Sequence, residues 1–176
     1  MSIMNLLQQR KSVRTYTGEP VSRENLKALL DAANSAPAAM AQYDKVHITV
    51  IENPDLLDKI QKNAEAVYQQ PDMLYHAPTF IVISGQPYFG GQLGNMEYSN
   101  AAIAAHNIAL AAADLNVGCC YIWGVTAALA QNPELIQALN LPEGFIPCCG
   151  IVLGQTEETY EPRDIPEGRI QVNYVK

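Results

Sequence analysis

A short basic cluster near the N-terminus is the first group of residues whose types and spacing could do chemistry. Three of the chain's 11 lysine and arginine residues lie in the run Arg10-Lys11-Ser12-Val13-Arg14, although the whole chain carries a formal charge of −7. Cationic side chains pair with phosphate by charge, and a serine hydroxyl adds a hydrogen bond. The cluster therefore indicates a phosphate site. The alternative is that these cations only stabilise the C-terminal end of a short helix.

Two apolar segments could lie against a flat ligand. Ala36-Pro37-Ala38-Ala39-Met40 places small residues after a helix end, where a ligand or a partner chain can approach the backbone; a plain loop is the alternative. The segment from Cys120 is predicted as a strand that ends in Trp123 and Gly124, before a helix that Thr126 caps. A glycine there lets a backbone N–H approach a ligand closely. The alternative is a core aromatic residue followed by a turn.

Recognisable catalytic motifs are absent from the sequence. It contains no phosphate-binding P-loop, no His-Glu-x-x-His, no nucleophile turn, and no dinucleotide fingerprint in a strand-to-helix context. The three histidines, His47, His76 and His106, are scattered and are predicted to be structural. We therefore expect no catalytic side chain: if the protein is an enzyme, a bound cofactor carries the chemistry.

Composition argues against several classes of partner. An acidic chain without a basic tract is a poor match for nucleic acid or for an anionic membrane surface. The longest apolar run, Ala101 to Leu115, is too short to span a bilayer, and the N-terminus lacks the basic head of a signal peptide. The cysteines form the adjacent pairs Cys119-Cys120 and Cys148-Cys149. We interpret them as reduced, buried thiols of a cytoplasmic protein that has no metal site.

The elements that must position these residues are predicted to form a single domain over residues 1–176. Helices and strands mix without strict alternation, which indicates an α+β fold: a three-layer α-β-α sandwich around a mixed, mostly antiparallel sheet. Residues 155–176 form a polar arm with a last alternating strand, which either folds back on its own sheet or crosses to a partner and completes that sheet. Helices are expected at 4–10, 23–36 with Ser22 as N-cap, 54–70 with Asn53 as N-cap, 95–116, and 126–139 with a possible break at Pro133-Glu134. Strands are expected at 46–52, 77–84, 118–123 and 147–154, and the continuous apolar run of 77–84 predicts a strand covered on both faces.

Taken in order, these segments resemble the FMN-dependent nitroreductase family, and the likeness covers nearly the whole chain. The family shares an arginine-serine opening, an alanine-proline turn, an alanine-rich helix that leads into a strand, and a late proline and glycine stretch. Here these segments are Arg10-Lys11-Ser12-Val13-Arg14-Thr15-Tyr16, Ala36-Pro37-Ala38-Ala39-Met40, Asn107 with Asn116-Val117-Gly118-Cys119-Cys120-Tyr121-Ile122, Pro142-Glu143-Gly144-Phe145-Ile146-Pro147, and Gly150-Ile151-Val152-Leu153-Gly154.

The resemblance implies an obligate homodimer with two FMN sites at its interface. From the strand pattern after the polar arm, we expect residues 170–175 to cross and pair with the partner's sheet. The resemblance implies that the FMN phosphate, ribityl chain and ring edge are bound by Arg10, Ser12 and Arg14, with backbone contacts from Lys11. It implies that the segment Pro37, Ala38, Ala39 and Met40 reaches the flavin of the other subunit. The backbone of Ile122, Trp123 and Gly124 would lie along the ring near N5. A late arginine completes the phosphate site, with Arg169 preferred and Arg163 as the competitor.

The resemblance also implies an activity, that of an NAD(P)H-dependent FMN oxidoreductase. NADH or NADPH would reduce the bound flavin and leave. A nitroaromatic, a quinone or a free flavin would then take the place of the nucleotide in the same pocket, which is a ping-pong mechanism. Tyr43, Tyr88 and Phe89 would form this substrate pocket; the alternative is that they pack as ordinary core residues. The segment from Ala38 to Lys45 departs from the family pattern, which leaves two competing hypotheses. The protein is then either a non-catalytic FMN-binding dimer for storage or redox sensing, or a dimer that has lost the cofactor.

Overall fold

The computed structural model describes residues 2–176, so Met1 lies outside the described residues. Six helices and four strands follow each other along the chain, with two short 3₁₀ turns at Ala39–Ala41 and Tyr43–Lys45. The helices are α1 (Ile3–Gln9), α2 (Arg23–Asn34), α3 (Pro54–Tyr68), α4 (Asn95–Asp114), α5 (Trp123–Leu129) and α6 (Pro133–Ala138). The strands are β1 (Val46–Ile51), β2 (Thr79–Gly85), β3 (Gly118–Tyr121) and β4 (Ile146–Gly154). None of these helices is both long and apolar enough to cross a bilayer.

The four strands form one sheet in the order β1-β2-β4-β3, and every neighbouring pair is antiparallel. These four strands agree with the mostly antiparallel sheet that was predicted, and the exchanged C-terminal strand that would complete a mixed sheet stays a prediction. Ile51 at the end of β1 pairs with Phe80 at the start of β2. The chain between these two residues thus returns to the end of the sheet where β1 finished, so β2 must run in the opposite direction.

Helices cover both faces of the sheet, which confirms the predicted three-layer sandwich. On one face, α2 and α4 pack against Ile81, Ile83 and Ile151. On the other face, α3, α5 and α6 pack against Phe80 and Val82. Strand β2 is buried on both faces, as its continuous apolar run predicted.

Local capping signals placed two helices correctly and one incorrectly. The Ser22 hydroxyl accepts a hydrogen bond from Asn25 N at 3.1 Å and starts α2, and Asn53 Oδ1 accepts from Leu56 N at 3.0 Å and starts α3. Thr126 does not cap its helix. Helix α5 begins at Trp123, and the Thr126 hydroxyl, buried inside that helix, donates to Ile122 O at 2.6 Å. The predicted break at Pro133 is real, because α6 starts there.

The C-terminal arm has an anchored part and an exposed part. Residues up to Arg163 are held on their own chain: the Tyr160 hydroxyl donates to Val117 O at 2.7 Å, and Lys11 pairs with Glu158 at 2.7 Å. Residues 164–176 are all exposed and form no strand within their own chain. The alternating apolar side chains of this part, Ile170, Val172 and Tyr174, are 70–82% exposed. That the last strand pairs with a partner's sheet stays a prediction.

Candidate functional site

The basic cluster lies along the edge strand β3. The backbone N–H of Val13 donates to Cys119 O at 2.8 Å, and the Val13 side chain is fully buried. This anchoring fixes Ser12 and Arg14 beside Cys120. Burial raises the pKa of the Cys120 thiol, whereas Arg14, a hydrogen bond with Ser12, and Arg10 each act to lower it. The predicted residues Arg10, Ser12 and Arg14 therefore all lie close enough to β3 to act on the Cys120 thiol.

Three arginines gather at the start of this segment. Arg163 is tied to helix α1, because its Nε donates to Gln8 O at 2.9 Å. Burial lowers the pKa of the Arg163 guanidinium, and the positive charges of Arg10 and Arg169 lower it further. Within residues 2–176, none of the three forms an ion pair with a carboxylate. The charges of Arg10 and Arg169 thus both act on Arg163, and like charges so placed favour an anion.

A cavity of about 480 Å³ joins Arg10 to Trp123 at the end of β3. Its other lining residues are Ala102, Ile103, His106 and Tyr121. Arg10 lies over the Tyr121 ring, with Cζ 5.8 Å from the centroid, and the Tyr121 hydroxyl lies 2.8 Å from His106 Nδ1. The exposed indole of Trp123, with Ala102 and Ile103 of α4, gives the lining an apolar part, and Arg10 gives it a cation.

Two of these lining residues are titratable and respond to burial and to Arg10. Burial and the Arg10 charge lower the pKa of His106, which favours its neutral form. Burial raises the pKa of Tyr121 to about 12, although Arg10 opposes this shift. Sequence reasoning treated His106 as structural and did not consider Tyr121. No local pattern could have found them, because only the packing of α4 on β3 brings them to Arg10.

Arg14 is held by a residue that the sequence analysis missed. Its Nε lies 3.3 Å from the Tyr75 hydroxyl, and its Cζ lies 5.6 Å from the centroid of the Tyr75 ring. Tyr75 lies in the irregular segment between α3 and β2, where its φ of 56° is in the left-handed region. The contact is long-range and has no local signal in the sequence.

The segment Ile122-Trp123-Gly124 lies where β3 passes into α5. Ile122 is buried, and its N–H donates to Gly150 O at 2.8 Å, so that this N–H is already used within the fold. A Cβ added to Gly124 would lie 3.0 Å from Met73 Cε. Glycine at this position therefore makes room for Met73, a packing reason that does not depend on a ligand.

The Ala39 turn (residues 38–41) lies apart from the Arg10 cavity in this chain. Met40 and Ala41 both adopt left-handed backbone conformations, with φ of 53° and 54°. Each such residue costs about 1–2 kcal/mol when it is not glycine. Met40 is 59% exposed, and Pro37, which precedes the turn, is also exposed. An exposed turn outside the chain's own cavity is free to contact the flavin of the other subunit. That it does so stays a prediction.

The three predicted substrate-pocket aromatics are only partly brought together. Tyr88 and Phe89 line one cavity of about 510 Å³, together with Lys45 and Phe145. Phe89 is 71% exposed, whereas Tyr88 is half-buried, with Lys45 Nζ 5.0 Å from its ring centroid. Tyr43 is exposed and does not line this cavity.

A larger cavity, about 950 Å³, lies elsewhere, along α3, and none of the predicted site residues lines it. Its lining cations already have acidic neighbours: Arg23 pairs with Glu52 at 2.7 Å, and Lys62 pairs with Asp58 at 2.7 Å. Neutralised cations attract an anion less than the group around Arg10 does. We therefore regard the end of β3 as the candidate site, although its cavity is smaller.

Comparison with known proteins gives a consistent result. The model of the nitroreductase family matches residues 7–155. A protein of Methanothermobacter thermautotrophicus, for which the name NADH dehydrogenase/NAD(P)H nitroreductase has been suggested, is 29% identical over 166 residues, covering 94% of this chain and 83% of that protein. The FMN reductase [NAD(P)H] of Bacillus subtilis is 28% identical over 171 residues, covering 86% of this chain and 65% of that protein.

Solved structures show the same fold. The crystal structure of a nitroreductase with bound FMN from Desulfitobacterium hafniense superposes with a TM-score of 0.84 at 24% identity, and each chain is covered completely. A nitroreductase with bound FMN from Bacteroides fragilis has a TM-score of 0.80 at 22% identity, covering 99% of this chain and 100% of that chain. With a family model that spans most of its length and a fold that agrees throughout, the chain belongs to the nitroreductase family.

Proposed function

We propose that this protein is an FMN-dependent oxidoreductase that uses NADH or NADPH to reduce a small acceptor such as a nitroaromatic, a quinone or a flavin. Family membership supports the reaction class. The names of two relatives support the chemistry: the Bacillus subtilis protein is an FMN reductase, and a Pseudomonas protein 27% identical over 167 residues, covering 86% of this chain and 65% of that protein, is a Cr(VI) reductase. Donor and acceptor occupy the same pocket in turn in this proposal, which is a ping-pong mechanism.

The observation that carries the proposal is the group of Arg10, Arg163 and Arg169, which has no carboxylate partner among the described residues. Like charges at close range are unfavourable unless an anion or solvent compensates them. The phosphate of FMN is such an anion, and the adjoining cavity runs from Arg10 to the exposed face of Trp123. The residues present therefore fit FMN, because the lining combines a cation for the phosphate with a flat apolar surface for the ring.

The remaining contacts are assigned from the likeness to the family, because Ser12, Lys11 and Arg14 do not line this cavity. Ser12 and Lys11 extend the phosphate and ribityl site, and the Lys11 ammonium is already paired with Glu158, so Lys11 contributes its backbone. Arg14, held by Tyr75, is assigned to the edge of the ring, where a cation stabilises the charge that reduction places there. When bound, FMN supplies the redox chemistry by accepting a hydride from the nicotinamide and passing electrons to the acceptor.

The proposed enzyme is a homodimer completed by the C-terminal arm. Strand β1 is at an edge of the sheet and has no strand on its outer side among residues 2–176. The exposed alternating side chains of Ile170, Val172 and Tyr174 have the period of a strand with no partner in its own chain. We assign the arm of one subunit to the β1 edge of the other. Pro37, Ala38, Ala39 and Met40 are assigned to the partner's flavin, and Tyr43, Tyr88 and Phe89 to the substrate entrance.

A non-catalytic FMN-binding dimer is the second candidate, and the Ala39 turn is the observation that favours it. The turn has only apolar side chains from Ala38 to Ala41, and the N–H of Ala39 is already bonded within the fold. It thus offers fewer polar contacts to a flavin than the family pattern would.

The experiment that separates the two candidates is anaerobic reduction of the purified protein. A yellow protein that is bleached by NADH or NADPH supports the oxidoreductase. A yellow protein that keeps its colour with both nucleotides supports the storage or sensing dimer. A colourless protein that takes up no FMN on reconstitution contradicts both.

A further inference from the structure

A closed set of hydrogen bonds ties the Ala39 turn to the start of α4. The N–H of Ala39 donates to Asn100 Oδ1 at 3.0 Å, and the Tyr88 hydroxyl donates to Ala39 O at 3.0 Å. Asn100 Nδ2 in turn donates to the Tyr88 hydroxyl at 3.2 Å. Both backbone polar groups of Ala39 are therefore fixed by two side chains that lie far from it in the sequence.

The same set reaches the loop from Pro87 to Gly94 through a buried carboxylate. Glu97, only 3% exposed, accepts from Tyr88 N at 2.5 Å and from Gly94 N at 2.8 Å. Burial opposes the charge of Glu97, but the backbone N–H groups of Tyr88, of Glu97 itself and of Gly94, with Lys45 nearby, keep the pKa of this carboxyl below its ordinary value. An ionised Glu97 thus holds the backbone of Tyr88, while the hydroxyl of the same tyrosine holds the turn.

The turn needs such support because its own backbone does not favour its shape. Met40 and Ala41 are consecutive left-handed residues without glycine, a conformation that persists only where the surroundings impose it. The sequence offers alanines and a methionine here, whose side chains form no hydrogen bonds. Besides two backbone bonds of the turn itself, from Ala41 N to Ala38 O and from Gln42 N to Ala39 O, the hydrogen bonds that hold it come from Asn100 and Tyr88.

We propose that Tyr88 and Asn100 are positioning residues that set the shape of the Ala39 turn, and through it the surroundings of the flavin in the other subunit. The inference rests on the proposed function only in its second half, because the hydrogen bonds to Ala39 lie within one chain. It gives Tyr88 a role besides the substrate entrance: its hydroxyl is used in the fold, and only its ring remains to face a ligand.

The test compares Tyr88→Phe with wild-type protein and with a matched control, Tyr98→Phe. Tyr98 lies on the same helix as Asn100 and is exposed, and its hydroxyl has no hydrogen bond within residues 2–176. The first readout is amide hydrogen exchange at Ala39 to Gln42. Tyr88→Phe removes the hydrogen bond to Ala39 O and also the partner of Asn100, which holds the Ala39 N–H. The turn should therefore open more readily, and the Ala39 amide should exchange about 2- to 12-fold faster, the range that corresponds to the loss of one hydrogen bond. Tyr98→Phe should match the wild type.

The second readout is the visible circular dichroism of bound FMN, which reports the asymmetry of the flavin's surroundings rather than catalytic rate. Tyr88→Phe should change this spectrum while FMN remains bound, and Tyr98→Phe should leave it unchanged. Wild-type exchange at Ala39 and its neighbour Met40 gives a check that needs no variant: the bonded N–H of Ala39 should exchange more slowly than that of Met40.

The outcomes separate the two parts of the inference. Unchanged exchange at Ala39 in Tyr88→Phe, or equal exchange at Ala39 and Met40 in the wild type, overturns the positioning role. Faster exchange with an unaltered flavin spectrum overturns the link to the cofactor. If the wild type binds no FMN, the proposed function and that link fail together, while the exchange data still decide whether Tyr88 and Asn100 hold the turn.

Discussion

Replacing Arg10 by alanine tests the phosphate site, because it removes one of three gathered cations and leaves Arg163 and Arg169 in place. A hydrogen bond to a charged group contributes about 1.5–3 kcal/mol, which corresponds to about a 10- to 140-fold change in affinity. The structure favours the lower part of that range. Arg10 lowers the pKa of Arg163 by repulsion, so its removal relieves the remaining arginines. We expect FMN to bind about 10- to 30-fold more weakly to Arg10→Ala.

The assay is a titration of the apoprotein with FMN and, separately, with riboflavin, which has the same ring and no phosphate. Riboflavin affinity should change less than about 2-fold in Arg10→Ala, because the contact that is lost is to phosphate. Arg23→Ala is the matched control: it removes the same charge at an exposed site where Arg23 pairs with Glu52. The reasoning is refuted if FMN affinity is unchanged in Arg10→Ala, or if riboflavin and FMN lose affinity equally.

Three further predictions concern the arm, the entrance and His106. A chain that ends at Arg163 keeps the anchored part of the arm and loses only exposed residues, so it should stay folded but become monomeric and lose flavin, as light scattering and absorbance will show. Phe89→Ala should raise KM for acceptors with FMN content unchanged. If one pocket serves both half-reactions, the rates of flavin reduction and of reoxidation measured by stopped flow should both fall. The lowered pKa of His106 means that the unfolded chain binds a proton more readily than the folded one, so stability should fall as pH drops below about 6.5. His106→Gln should reduce this fall in urea titrations at a series of pH values.

Each of these has a clear contrary outcome. A soluble yellow dimer from the chain that ends at Arg163 would contradict strand exchange. Phe89→Ala with wild-type traces in both half-reactions would show that this loop does not shape the pocket. An unchanged pH dependence in His106→Gln would mean that another group causes the loss of stability.

The layer structure could be predicted from the sequence because its determinants are local. Ser22 and Asn53 cap their helices with their own side chains, and the apolar run of β2 is long enough to require cover on both faces. Thr126 misled the same reasoning, because a threonine before an apolar helix can cap it or can bond back to the preceding turn, and only the buried position beside β4 decides between them. The direction of each strand depends on where the connecting chain returns, which local patterns do not record.

The candidate site was predictable in its charged residues and not in their partners. Arg10, Ser12 and Arg14 stand out by composition in an acidic chain. Tyr75, which holds Arg14, and Asn100, which holds the Ala39 turn, act across 61 residues of sequence each. Such contacts arise from the packing of whole elements, so neither the spacing nor the types of the residues predict them.

The most direct test of the central claim is a sequential anaerobic experiment with the wild-type protein. We predict that one equivalent of NADH or NADPH per flavin bleaches the visible absorbance, and that a quinone or nitroaromatic restores it after the oxidised nucleotide has been removed. Restoration without nucleotide present shows that donor and acceptor act in turn at one flavin. A flavin that neither nucleotide reduces, or a bleached flavin that none of the acceptors reoxidises, would contradict the proposed oxidoreductase.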